Sequence, residues 1–213
     1  LAQGGVNVIQ PGIESFSPVQ LKEMDKGVRP IQNILCLKWS MYYGIECEWN
    51  ILTCFPGETD SDYRQQIDLL ASLIHLRPPI GVGDLYLERF SPYFTRPQEY
   101  GVSITGPGEA YRYVYDGDQV DLMKIAYDFE YKSPAQINPE LKTELQNLVD
   151  HWQVRHRSEQ LPFLFFTKSV DFVTVYDGRP ENEPIKMRFE GLAAEVISFC
   201  NEATRSVDQI RTH

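Results

Sequence analysis

The sequence predicts an α/β protein. It reads as a partial TIM-type (β/α) barrel, with about three parallel strands and their helices, followed by an α+β, winged-helix-like region. Three observations lead there. Short apolar runs rich in β-branched residues alternate with segments of helical period up to residue 91. Each run ends in a polar turn that opens a helix, the order expected of parallel strands joined by crossovers. From Asp118 onward the style changes to long helical segments and then β-rich runs around one turn. The expected division is therefore 1–117 for the barrel part and 118–213 for the C-terminal region.

The first strand covers Gly5 to Ile9, and the apolar Val6, Val8 and Ile9 suggest burial on both faces. Ser17-Pro18 then supplies an N-cap and a first-turn proline for a helix over Pro18–Lys26, stopped by Gly27. Pro30 starts a second helix that ends near Tyr43-Gly44, with Ile31, Leu35 and Tyr42 on one stripe. Trp49, Ile51, Leu52 and Phe55 mark a second strand turned by Pro56-Gly57. Asp60 or Ser61 is the expected cap of a helix carrying Tyr63, Ile67, Leu70 and Ile74. A third strand is expected from Asp84 to about Ser91, and a long Gly-, Pro- and Tyr-rich loop over 95–117. TGPGEAYRY in that loop lacks both the lysine and the spacing of a phosphate cradle.

The later region reads as a helix over Asp118–Tyr131 and a longer one from Asn138-Pro139 to about Arg157. LPFLFFTKSVDFVTVYD and PIKMRF then read as strands around Asp177-Gly178-Arg179-Pro180. A helix over Leu192–Ala203 follows, and Ser206 caps one more. A hairpin followed by helices is the outline of a winged helix.

Composition narrows the function. The net charge of −10 disfavours duplex nucleic acid as a partner. No apolar run approaches the roughly 20 residues of a membrane-spanning helix. Cys36, Cys47, Cys54 and Cys200 match no zinc or redox spacing and read as reduced core thiols, which fits a cytoplasmic setting. The sequence begins without Met and almost on a strand, so a piece of a longer protein is expected. No nucleophile has a base beside it in the sequence, His151 and His156 have a poor metal spacing, and no catalytic or metal-ligating residue is assigned.

The polar residues that stand out lie past the first strand. Gln10, Glu14 and Ser15 surround Pro11-Gly12, where the carboxyl ends of parallel strands face a ligand. Such residues bind hydroxyl, amine or carboxylate groups, and they serve equally in a capped helix with a solvated turn.

At VIQPGIESFSPVQLKEMDKG, CFPGET and ERFSPYF the chain resembles the later part of a radical S-adenosylmethionine enzyme. The group it is most similar to carries a cobalamin-binding domain and matures ribosomally made peptides. FLFFTKSVDFVTVYDGRP with RFEGLAAEVISFC looks like that group's C-terminal region. The resemblance implies S-adenosylmethionine and a four-iron four-sulfur cluster as cofactors of the parent protein, with cobalamin in its cobalamin-dependent members. It implies Gln10, Glu14 and Ser15 as sugar- and methionine-binding residues, Lys26 as partner of the methionine carboxylate, and Asn50 as a ribose contact. A lysine at a helix C-terminus is the competing reading of Lys26, and a first-turn acid that of Glu58.

The C-x-x-x-C-x-x-C cluster motif of these enzymes is absent from this chain. The chain alone is thus expected to be inactive and to bind little or no S-adenosylmethionine, with a parent that is a cobalamin-dependent methyltransferase or related peptide-maturing enzyme. Its substrate is expected to be a peptide or small molecule. The alternatives are a non-catalytic peptide-binding module, acting by strand addition to an exposed edge, and a fragment of a tetrapyrrole cyclase. The open edge at Val6–Ile9 predicts a homodimer.

Overall fold

In the computed structural model, which describes residues 1–212, two short parallel ladders share one stretch of chain. Val8–Ile9 (β1) pairs with Glu46–Cys47 (β2), and Ile51–Thr53 (β3) pairs with Val82–Asp84 (β4). Only Glu48–Asn50 separates β2 from β3, and the Leu52 N–H donates to Glu14 O at 2.9 Å. The result is an open arc of parallel chains, and no barrel closes among the described residues.

Helices connect these strands. Pro18–Glu23 (α1) is capped by the Ser17 hydroxyl, which accepts from Gln20 N, and Pro30–Tyr42 (α2) returns the chain to β2. Asp60–Ser72 (α3) runs between β3 and β4. Its cap is Thr59, not Asp60 or Ser61: Thr59 Oγ1 accepts from Asp62 N while the Asp62 carboxylate accepts from Thr59 N, a reciprocal box. The first strand is shorter and barer than expected. Gly5 adopts a left-handed φ of 82° where it closes a short 3-10 turn over Ala2–Gly4, and Val8 is 49% exposed where the outer edge of β1 meets no strand among the described residues.

The third strand departs most from expectation. After β4 the chain leaves the parallel arc, and Leu87–Glu88 (β5) pairs antiparallel with Asp128–Lys132. Pro92–Thr95 (α4) follows. The expected loop over 95–117 contains a strand, Ser103–Pro107 (β6), and a helix, Glu109–Val114 (α5). The expected helix over 118–131 is a single turn, Leu122–Ile125 (α6), followed by a strand, Asp128–Lys132 (β7), at the centre of a β5–β7–β6 sheet. Pro107 is tolerated because β6 is an edge. This sheet joins residues on both sides of the 117/118 boundary.

Pro139–Arg157 (α7) matches the expected long helix. Leu164–Lys168 (β8), Phe172–Asp177 (β9) and Ile185–Glu190 (β10) form an antiparallel meander in the order β8–β9–β10. The run expected as one strand over 161–177 is two, because it turns back at Ser169, whose N–H donates to Phe172 O. Gly191–Phe199 (α8) packs on β9 and β10, and Val207–Arg211 (α9) follows.

The main core lies between the parallel arc, α3 and α7. Trp49 and Trp152 meet edge to face at 5.9 Å, both fully buried. Their indole N–H groups donate to successive carbonyls, Trp152 to Leu76 O at 2.9 Å and Trp49 to Arg77 O at 3.0 Å. A second cluster, including Phe55, Leu87, Tyr93, Val102 and Phe129, fills the antiparallel sheet.

Candidate functional site

Between the two parallel ladders the strands part. Backbone pairing holds at Ile9, whose carbonyl accepts from Glu48 N, and again at Glu14, whose carbonyl accepts from Leu52 N. The intervening residues leave a hollow of about 80 Å³ lined by Gln10, Gly12, Glu14, Glu48, Trp49 and Asn50, among others. Three of the residues singled out in the sequence thus converge on one place: Gln10, Glu14 and Asn50.

Lys26 joins them through Glu14. Its Nζ lies 2.6 Å from Glu14 Oε2, in a pair whose side chains are 34% and 19% exposed. The backbone brings it there. Past α1, Asp25 and Gly27 both take left-handed φ values, 54° and 64°, so the chain doubles back toward the turn after β1. Gly12 makes the closure fit. Its φ of 69° suits glycine, and a Cβ there would sit 3.4 Å from Glu14 Oε1 and 3.6 Å from Lys26 Nζ.

Ser15 faces the other way. It is fully buried, and its Oγ donates to Gln66 Oε1 at 2.7 Å and accepts from Ser17 N at 2.9 Å. Gln20 touches the same oxygen, and turning over its carboxamide lets Nε2–H donate to Oγ. Gln66 Oε1 also accepts from Phe16 N, and Asn33 Nδ2 donates to Ser15 O. Ser15 therefore ties the turn to α1, α2 and α3, while its neighbour Glu14 faces the hollow.

Glu48 lines the hollow without having been singled out. The signal was present: Glu48 and Asn50 are two apart in an extended stretch, which places them on one side. A second polar group lies past the ends of β3 and β4. Asp84 accepts from Thr53 Oγ1 at 2.7 Å and from Lys142 Nζ at 2.7 Å, and the Cys54 thiol is 3.4 Å away. Burial pushes the Cys54 thiol up, and the Asp84 carboxylate beside it pushes the same way, so it is a poor nucleophile.

Glu58 is more than a first-turn acid. Tyr63 Oη donates to it and accepts from Cys54 N at 3.0 Å. Burial pushes the Glu58 carboxyl up to about 7, against the hydrogen bond from Tyr63. Sequence spacing alone gave no sign of this, since it depends on how α3 packs over the Pro56-Gly57 turn.

The hollow combines two amides, two carboxylates and a nearby ammonium, donors and acceptors suited to hydroxyl, ammonium and carboxylate groups. At about 80 Å³ it is well below the roughly 300–1,000 Å³ of pockets that enclose a small molecule, so it has room for one moiety of a ligand and no more. No protein-family model and no curated protein matches the chain.

Proposed function

We propose that this chain is the later part of a radical S-adenosylmethionine enzyme and supplies one wall of the S-adenosylmethionine site. The observation that supports this reading is the convergence of Gln10, Glu14 and Asn50 on one hollow, with Lys26 held against Glu14. Gln10 and Glu14 stand out past the first strand, and the motif resemblance implies these two, Lys26 and Asn50 together, from three separate stretches of the sequence. The open parallel arc is compatible with a segment of a (β/α) barrel. In this reading Gln10 and Asn50 offer amide groups to the ribose hydroxyls, Glu14 accepts from a hydroxyl or ammonium, and Lys26 releases Glu14 to meet the methionine carboxylate. The parent would be a cobalamin-dependent methyltransferase or a related peptide-maturing enzyme.

The iron–sulfur cluster does not fit the thiols of this chain. Cys47 is buried in the main core, its thiol pushed up to about 12 by burial and by Cys36 beside it. Among the described residues no three His, Cys, Asp or Glu side chains are grouped to hold a metal ion. The reading therefore leaves the cluster to other parts of the parent protein, and no redox step is assigned to these residues.

One wall of a site implies weak binding, near the millimolar level that corresponds to about −4 kcal/mol. The test is an amide NMR titration of the whole chain with S-adenosylmethionine and with 5′-deoxyadenosine. Shifts are expected at Gln10, Gly12, Glu14 and Asn50 and should vanish in Glu14→Ala. An unresponsive hollow at millimolar ligand, or equal shifts in the variant, would overturn the reading.

A further inference from the structure

We infer that the tyrosine-rich, acidic face built by the β4–β5 turn, α5 and the chain leading into β7 is a docking surface for a cationic peptide, one presenting lysine or arginine side chains. Tyr86, Phe90, Tyr113 and Tyr127 are 65%, 76%, 80% and 51% exposed, four bare aromatic rings on neighbouring elements. The elements that carry them are tied together by hydrogen bonds. Tyr86 Oη donates to Asp128 Oδ2 at 3.2 Å, the Gly108 N–H that opens α5 donates to Asp128 O at 2.9 Å, and Tyr127 N donates to Tyr111 Oη at 2.9 Å.

Phe90 is held outward at a cost. Its φ of 73° lies in the left-handed region, which a bulky side chain rarely adopts. The Arg89 guanidinium fixes the turn, donating to Ala126 O and Met123 O while lying over the rings of Phe94 and Phe129. Strain that keeps an aromatic ring in water is characteristic of a contact surface rather than of packing.

Charge selects the occupant. Residues 109–130 contain six acidic side chains against two basic ones, Arg112 and Lys124. Both cations are already engaged, with Glu130 and Asp121. Glu109, Asp116, Asp118 and Asp128 have no cationic partner among the described residues. A neutral or acidic partner would desolvate these carboxylates without compensation. Nucleic acid, an anionic membrane and a second copy of this chain, itself at −10, are all repelled. A peptide carrying cations pairs with the carboxylates and lays its charges on the tyrosine faces. Tyrosine provides that contact area at little entropic cost.

The inference does not rest on the S-adenosylmethionine reading, since none of these residues lines the hollow. The test is fluorescence anisotropy of the whole chain with a labelled peptide of alternating lysine and glycine, and with a glutamate–glycine counterpart. The lysine peptide is expected to bind and to weaken with salt, and the glutamate peptide not to bind. Tyr113→Ser with Tyr127→Ser keeps every charge and should weaken binding about tenfold. Tyr42→Ser with Tyr43→Ser, on the exposed aromatic end of α2, should leave it unchanged. Absence of binding at low salt, equal binding by the 113/127 variant, or an equal loss in the 42/43 variant would each overturn the proposal. Circular dichroism of each variant checks that it is folded.

Discussion

Replacing Glu58 by Gln should change how stability depends on pH, more than it changes stability at any one pH. Glu58 is half-buried beneath Tyr63, with its carboxyl pushed up from 4.5 to about 7, first of all by burial. Above pH 4.5 the unfolded chain releases this proton while the folded chain keeps it. The contribution is therefore full below pH 4.5 and is lost as pH rises through about 7. The full shift corresponds to about 3 kcal/mol, and solvent reaching the carboxyl reduces this to about 2 kcal/mol.

His75 pulls the other way. Burial, and then Arg179, push it from 6.5 down to about 4, so it adds stability as pH rises across that interval. His156 is also lowered by burial and acts with the same sign. Between pH 4.5 and 6.5 Glu58 therefore works against both histidines. Glu58→Gln removes the opposing slope, so over that interval the variant should gain about 2 kcal/mol more than the parent does. Urea denaturation across the pH series, at constant m-value, reads this directly. Parallel profiles for variant and parent would refute the reasoning.

Trp152→Ala should destabilise by about 3–5 kcal/mol in urea denaturation, since it empties the centre of the main core and orphans the Leu76 carbonyl. Ser15→Ala should cost about 1–3 kcal/mol by stranding the Ser17 N–H and the Gln20 carboxamide, while leaving the NMR response of the hollow unchanged. The bare outer edge of β1 should drive self-association, seen as concentration-dependent sedimentation and removed by Val8→Lys. A parent that stays monomeric as concentration rises would count against that.

The elements that were legible are those governed by local chemistry. Ser17-Pro18, Pro30 and Asn138-Pro139 each start the helix they signal, and α7 ends where the sequence suggests. The parallel pairing followed from the alternation of strand and helix. What stayed hidden depends on partners distant in sequence. Asp128–Lys132 alternates polar and apolar residues as a strand should, but Val120, Met123 and Tyr127 ahead of it fall three and four apart, as on a helical stripe. Only pairing with Leu87 and Pro107 decides the matter. The site shows the same division. Gln10 and Glu14 could be named from their position past the first strand and Asn50 only from the motif resemblance, whereas the inward turn of Ser15 is fixed by Gln66, fifty-one residues away.

The two indoles, packed edge to face, also bear on how the chain acquires its fold. Trp49 is sealed by a residue that lies more than a hundred positions later, and both rings are pinned to adjacent carbonyls just past α3. During synthesis the parallel arc and α3 would emerge with an aromatic face still open to water, until α7 leaves the ribosome and closes it. Contacts of such long sequence separation form late and slowly. Early folding of the parallel arc thus yields an incomplete, sticky intermediate.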